Sequence, residues 1–198
     1  MVNNEEQKKI VEEVMFNSKK NTKRGEWDKY NGDITCGIIK TNLQNHLPND
    51  KIIVGPHVFI DGISNELDLM IIKKEAKSEE FIECYNINDV EKIIEIKKSG
   101  IHYGNKKNMK VEETLRSLFE QIAEKKSQII TNKKFICCCL AIQDRIPKNT
   151  NKSFNYVKVS REALSPYEYF VLSNHPNYNP HFELENDWKK FVDWCVPS

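Results

Sequence analysis

The chain has 198 residues and is therefore long enough for one domain with a sizeable core. Charged residues make up 30% of the chain, and its net charge is +1. No run approaches the roughly 18 apolar residues of a membrane span, and the polar start MVNNEEQKK lacks the apolar centre of a signal peptide. The six cysteines show no CxxC spacing, and three are consecutive (137–139), which argues against zinc and disulfide roles. We therefore expect a cytoplasmic protein with no membrane segment.

Charge is divided unevenly along the chain. Residues 61–95 hold ten acidic residues against four lysines, a net −6. Residues 106–134 hold eight basic residues against four glutamates, a net +4. An acidic centre beside basic flanks suits a protein that holds metal ions in the middle and phosphate backbone around them. Lysines that simply solvate helix faces give the same pattern.

The first part of the chain is predicted to form two helices and a strand. Apolar residues recur at helical spacing in residues 3–20. A second helix covers residues 33–46, with Asp33 at its N-cap. Residues 51–60 then form a strand, in which Gly55-Pro56 indicates a bulge or an edge position because proline cannot donate to the ladder.

Two further strands are predicted in the middle of the chain. Residues 66–73 are largely apolar on both faces and carry Asp68, which is typical of a central strand. A charged loop, with a short strand near 81–85, leads to the next strand at residues 90–97.

The next two elements complete the predicted core. Residues 111–127 show an apolar stripe at helical spacing, and residues 133–143 form a buried strand. The order of elements predicts an α/β fold, with a mixed central sheet flanked by helices on both sides.

The end of the chain gives a weaker pattern. After a polar connection we expect a strand at 156–159, a short helix at 166–172 and a closing helix at 186–195. We assign residues 1–145 to the core and residues 146–198 to a C-terminal extension packed on it.

The candidate site lies on the strands at 66–73 and 90–97. Residues two apart share a face of a strand, so Glu95 and Lys97 stand side by side. If the two strands pair, Asp68 joins them at one edge of a buried sheet. Two carboxylates and the backbone carbonyl of Ile96 can hold Mg²⁺, with Mn²⁺ as an alternative ion. Lys97 would orient the attacking water or stabilise developing charge.

The individual residues have ordinary alternatives. An isolated ExK is common, and a lone aspartate is more often capped or paired with a base than bound to metal. The combination is more specific, because an aspartate on one strand, ExK on the next, a helix and a buried strand follow one another.

This pattern, Asp68 followed by Glu95-Ile96-Lys97, resembles the PD-(D/E)xK superfamily of restriction-endonuclease-like nucleases. The likeness covers about residues 30–143 and extends to the run NHLPNDKIIVGPHVFIDGISNELDLMII. It implies a restriction-endonuclease-like core, in which Asp68 and Glu95 bind metal and Lys97 is the catalytic lysine. Leu67 stands in place of the proline of the family name.

The resemblance also identifies a departure from the pattern. Family members often carry a further acid on the first core helix, and the corresponding place here falls near Cys36. Asp33 or Glu66 are candidates to replace that acid as metal ligand, as is Glu26. Gln121 matches a polar position that often supports the site.

The expected function is therefore that of a metal-dependent endonuclease, which hydrolyses DNA phosphodiester bonds in defence or repair. The alternative is a catalytically inactive module of the same fold that binds nucleic acid or a partner protein. Four lysines are candidate DNA contacts: Lys98, Lys106, Lys107 and Lys110. A homodimer is expected from the resemblance, since duplex cutting by such folds commonly uses two copies.

Overall fold

The computed structural model describes residues 4–19, 26–79, 81–99, 106–126, 136–143, 161–173 and 187–196. The long helices are α1 (Asn4–Lys19), α2 (Glu26–Gln44), α3 (Lys106–Lys126) and α4 (Asp187–Cys195), and residues 161–164 form a short helical segment. The strands are β1 (Lys51–Val54), β2 (Val58–Ile60), β3 (Ile63–Leu67), β4 (Leu69–Lys73), β5 (Cys84–Tyr85), β6 (Val90–Ser99), β7 (Cys137–Gln143) and β8 (Glu168–Val171). A 3₁₀ turn, Ile87–Asp89, precedes β6.

A five-stranded mixed sheet in the order β1-β4-β6-β7-β8 forms the centre of the fold. Strand β4 is antiparallel to both β1 and β6, while β6, β7 and β8 run parallel. The predicted pairing of the Asp68 strand with the ExK strand is confirmed, because Leu69 lies opposite Ile94.

Helices cover both faces of this sheet because its inner strands are apolar on both sides. On one face α3 packs with Met70, Ile93 and Cys139 in one buried cluster. On the other face α1, α2 and α4 pack with Ile71 and Ile94. The predicted α/β architecture, a mixed sheet flanked by helices on both sides, is confirmed.

The strands predicted at residues 51–60 and 66–73 are each interrupted in the structure. Residues 51–60 form β1 and β2, which belong to different sheets, and Asp68 separates β3 from β4. Strands β3, β2 and β5 form a small second sheet. The first break lies at Gly55, which has a positive φ of 112°. The backbone therefore turns out of the central sheet, where a single long strand was expected.

The C-terminal part of the chain contributes to the same sheet. Residues 168–171 form β8 rather than the predicted helix, because Tyr169 and Phe170 are buried on opposite faces of the sheet. In α4 the buried carboxylate of Asp187 accepts hydrogen bonds from Arg161 Nη2 at 2.7 Å and from Val171 N at 2.9 Å. The strand expected at 156–159 lies outside the described residues, and the boundary at 145 stays a prediction.

All six cysteines are buried and unpaired, as expected of small apolar side chains. Within the described ranges, no helix is both long enough and apolar enough to cross a membrane.

Candidate active site

The structure brings Asp68, Glu95 and Lys97 together at one point of the sheet. Asp68 is the single residue between β3 and β4, and its Oδ2 accepts a hydrogen bond from the backbone N–H of Ile96 at 2.7 Å. Lys97 Nζ donates to Glu95 Oε1 at 2.5 Å. The Asp68 carboxylate thus lies against the segment of β6 that carries the other two groups.

The site faces the α3 side of the sheet. Ile93 packs with α3, whereas Ile94 and Ile96 pack with α2 on the opposite face. Because side chains alternate along a strand, Glu95 and Lys97 share the face of Ile93. The Glu95 side chain is 13% exposed and that of Lys97 is 32% exposed, so the amine lies nearer to solvent.

The two carboxylates carry more negative charge than the lysine balances. Burial raises the pKa of Asp68, while the Ile96 N–H and Lys97 oppose the shift. Burial also raises the pKa of Glu95, and the charge of Asp68 adds to it against Lys97. Burial lowers the pKa of Lys97, but the charges of Glu95 and Asp68 outweigh that effect and leave it raised. Added positive charge at this point would stabilise both ionised carboxylates.

The donor set fits a hard divalent cation. Two carboxylates and a backbone carbonyl are oxygen ligands of the kind that Mg²⁺ takes, usually together with water. Within the described part of the chain, no three histidine, cysteine, aspartate or glutamate side chains are grouped so that they could hold an ion. Any metal bound by Asp68, Glu95 and Ile96 would therefore use solvent or substrate oxygens for its remaining ligands.

Two of the three candidate replacement acids, Asp33 and Glu66, are held by a histidine that the sequence analysis did not identify; the side chain of the third, Glu26, lies outside the part of the chain described here. His57 Nε2 lies 3.1 Å from Asp33 Oδ1, and His57 Nδ1 contacts Glu66 Oε1. The hydrogen bond to Glu66 raises the pKa of His57, and Asp33 adds to the rise against a contribution from burial. This bridge joins α2 to β3 beside Asp68. The role of Asp33 or Glu66 as a metal ligand stays a prediction.

The sequence predicted that Asp33 caps the second helix, and this prediction is wrong. Helix α2 begins at Glu26, so Asp33 lies in its interior and directs its carboxylate to His57. No sequence pattern marked His57, which is a lone, partly exposed histidine after Gly55-Pro56. Its backbone has a positive φ of 67°, a conformation in which histidine is several-fold enriched among non-glycine residues.

The turn at residues 55–57 also supports the backbone of Asp68. A Cβ atom on Gly55 would lie 2.2 Å from the Asp68 carbonyl oxygen, so the backbone at Gly55 is in direct contact with the backbone at Asp68. Lys40 of α2 donates to the Gly55 carbonyl at 2.9 Å. Three elements therefore converge on the position of Asp68: α2, the turn and β6.

Cys36 occupies the helical position where the resemblance implied an acid. It is buried in α2, and its thiol pKa is raised by burial and then by the charges of Asp68, Asp33 and Glu95. A neutral thiol thus stands near the two carboxylates and adds no negative charge to them.

The predicted DNA-contacting lysines are only partly described. Lys98 is half-buried on β6. Lys106, Lys107 and Lys110 belong to the first turns of α3, but their side chains lie outside the part of the chain described here. Their role in DNA binding stays a prediction.

No protein-family model and no curated protein sequence matches this chain. Among solved structures, it is similar to NucC of P. aeruginosa ATCC27853 in its cAAA-bound form, with a TM-score of 0.54 and 9% sequence identity; the match covers 81% of this chain and 68% of that chain. It is also similar to NucC of E. coli MS115-1 in its cAAA-bound form, with a TM-score of 0.51, 10% identity and coverage of 72% and 62%.

These likenesses concern the fold. The chain spans 68% and 62% of the two NucC chains that it matches. The architecture that it shares with them is the restriction-endonuclease-like fold, which the sequence predicted.

Proposed function

We propose that this chain is a metal-dependent endonuclease of the PD-(D/E)xK superfamily that hydrolyses DNA phosphodiester bonds. The observation that carries the proposal is the meeting of Asp68, Glu95 and Lys97 at one point of a restriction-endonuclease-like sheet. The restriction-endonuclease-like fold, shared with NucC, supports this class of activity, and we propose a role in defence or repair. Burying two carboxylates beside an amine is costly, so a functional use is favoured.

The mechanism follows from the positions of the three side chains. Asp68, Glu95 and the Ile96 carbonyl would hold Mg²⁺, or Mn²⁺ in its place. The bound ion would supply an activated water and would neutralise charge on the phosphate. Lys97 Nζ, held by Glu95 and nearer to solvent, would orient the attacking water and stabilise charge that develops on the phosphate oxygens. The Ile96 N–H and the turn at 55–57 would keep Asp68 in place.

A second candidate function is a catalytically inactive module that keeps the fold and binds nucleic acid or a partner protein. Cys36 favours it, because a neutral thiol replaces the helical acid that family members often add to the metal site. The two candidates differ in whether the Asp68–Glu95 pair binds a divalent ion.

Calorimetry of metal binding separates the two candidates. We expect the wild type to bind Mn²⁺ and Asp68→Asn to lose at least about tenfold in affinity, because an amide can still accept from Ile96 N but carries no charge. Asp193→Asn is the matched control, since Asp193 forms an exposed pair with Lys189 on α4. Equal Mn²⁺ binding by the wild type and Asp68→Asn, or none by either folded protein, would favour the inactive module.

The remaining parts of the proposal concern context. We propose a cytoplasmic protein that acts on DNA, with Lys98 and the lysines at the start of α3 contacting the phosphate backbone. A homodimer would place two sites on the two strands of a duplex, and its cuts would then be related by two-fold symmetry.

A further inference from the structure

A polar groove lies between β3 and α3, apart from the three candidate catalytic residues. Its volume is about 290 Å³, and it is lined by Asn65, Glu113, Thr114, Ser117, Leu118 and Gln121. Glu113, Ser117 and Gln121 are four residues apart, so they share one face of α3. Leu118 is buried and forms the apolar floor. The groove thus combines an apolar base with a polar rim, which is the usual make-up of a site for a small organic group.

The chemistry of the rim selects among the parts of a nucleotide. Among the six lining residues none is a lysine or arginine, and the one charged group, Glu113, would repel a phosphate. Two carboxamides, Asn65 and Gln121, face the same space. Carboxamides pair with base edges, most often with both the N6 and N7 positions of adenine, and hydroxyls such as Ser117 pair with any base. The rim therefore suits a base and disfavours the backbone.

The groove is placed where a bound strand would reach it. Asn65 shares a face of β3 with Ile63 and Leu67, which pack with α3. The candidate catalytic side chains lie on that same α3 face of the fold. Asn65 precedes Asp68 by three residues, so the two positions are at most about 10 Å apart. A bound strand would cover that distance in no more than about three stacked nucleotide steps of 3.4 Å each.

We propose that this groove binds one base of the DNA near the scissile phosphate and gives the enzyme a sequence preference, with Asn65 and Gln121 as the reading side chains. This inference rests on the proposed nuclease function for the identity of its ligand. Adenine is the expected base, because a carboxamide can accept from its N6 amine and donate to its N7 at the same time.

The test measures binding and cleavage separately. Fluorescein-labelled DNA duplexes and single strands of twelve nucleotides, differing at one position between A, C, G and T, are titrated by anisotropy in EDTA. The same proteins are then used in Mg²⁺ on a randomised DNA library, and the bases around each cut are counted. The variants are Asn65→Ala, Gln121→Ala and Gln121→Glu, with Asn17→Ala as control because Asn17 is an exposed carboxamide bonded within α1. Circular dichroism checks that each variant folds.

We expect the wild type and Asn17→Ala to prefer A by at least about fivefold at one position, and the two alanine variants to lose that preference. Gln121→Glu should shift the preference towards C, because a carboxylate accepts from the cytosine N4 amine; a purely structural role would not produce that shift. An unchanged base preference in all three folded groove variants, or no binding by the wild type, would overturn the inference. Absence of cleavage with base preference intact in EDTA would reject the proposed nuclease and keep the groove.

Discussion

Replacing Lys97 by alanine is expected to lower the rate of metal-dependent DNA cleavage about 10²–10³-fold, while the fold and the binding of Mn²⁺ are retained. Removing one group that stabilises transition-state charge has an effect of this size in other enzymes. Lys97 is the cation hydrogen-bonded to Glu95, and its charge also opposes the raised pKa of Asp68. The measurement is the single-turnover rate on supercoiled plasmid in saturating Mg²⁺.

The matched control is Lys8→Ala, since Lys8 forms a weak, exposed pair with Glu12 on α1 at 3.8 Å. We expect the cleavage rate of this control to equal that of the wild type. A Lys97→Ala protein that is folded, binds Mn²⁺ and cuts DNA at the wild-type rate would contradict the role assigned to Lys97.

Replacing Gly55 by alanine is expected to destabilise the protein by about 2–4 kcal/mol and to reduce cleavage. Its φ of +112° is strained for an L side chain, and the new Cβ would overlap the Asp68 carbonyl oxygen at 2.2 Å. That oxygen is backbone and cannot swing away, so either the turn or Asp68 must shift. Denaturant unfolding gives the change in the free energy of unfolding, and the plasmid assay gives the change in rate.

Gly37→Ala is the matched control for this variant. Gly37 lies in α2, where an added Cβ would have no atom within 4 Å apart from its chain neighbours and the backbone of its own helix. We expect it to stabilise the protein by about 0.5–1 kcal/mol, because alanine is a better helix former than glycine. Equal stability and activity of Gly55→Ala and the wild type would show that the turn does not hold Asp68.

The sequence identified the sheet and the three candidate catalytic residues because both leave simple periodic signals. Apolar runs of strand length mark β4, β6 and β7, and the i, i+2 spacing places Glu95 beside Lys97. The predicted pairing of β4 with β6 then brings Asp68 to the same point.

Features that depend on tertiary contacts were missed. The breaks at Gly55 and Asp68 divide apolar runs that look continuous, since the second sheet forms only when β2 pairs with β3 and β5. His57 bridges two acidic residues that are distant from each other in sequence. An isolated histidine forms no periodic sequence pattern, so nothing in the sequence predicted this contact. Residues 166–172, which contain β8, were predicted to form a helix, because periodicity alone does not separate a buried strand of four residues from a turn of helix.

The most direct test of the proposed nuclease function is cleavage of supercoiled plasmid by the purified wild type in Mg²⁺, compared with the same reaction in EDTA and with Asp68→Asn in Mg²⁺. We expect nicked or linear DNA in the first reaction and intact plasmid in the other two, because Asp68 and Glu95 are the proposed carboxylates of the metal site. Cleavage that persists in EDTA or in folded Asp68→Asn would contradict it, as would intact plasmid, linear duplex and single strands after incubation of the folded wild type with Mg²⁺ or Mn²⁺.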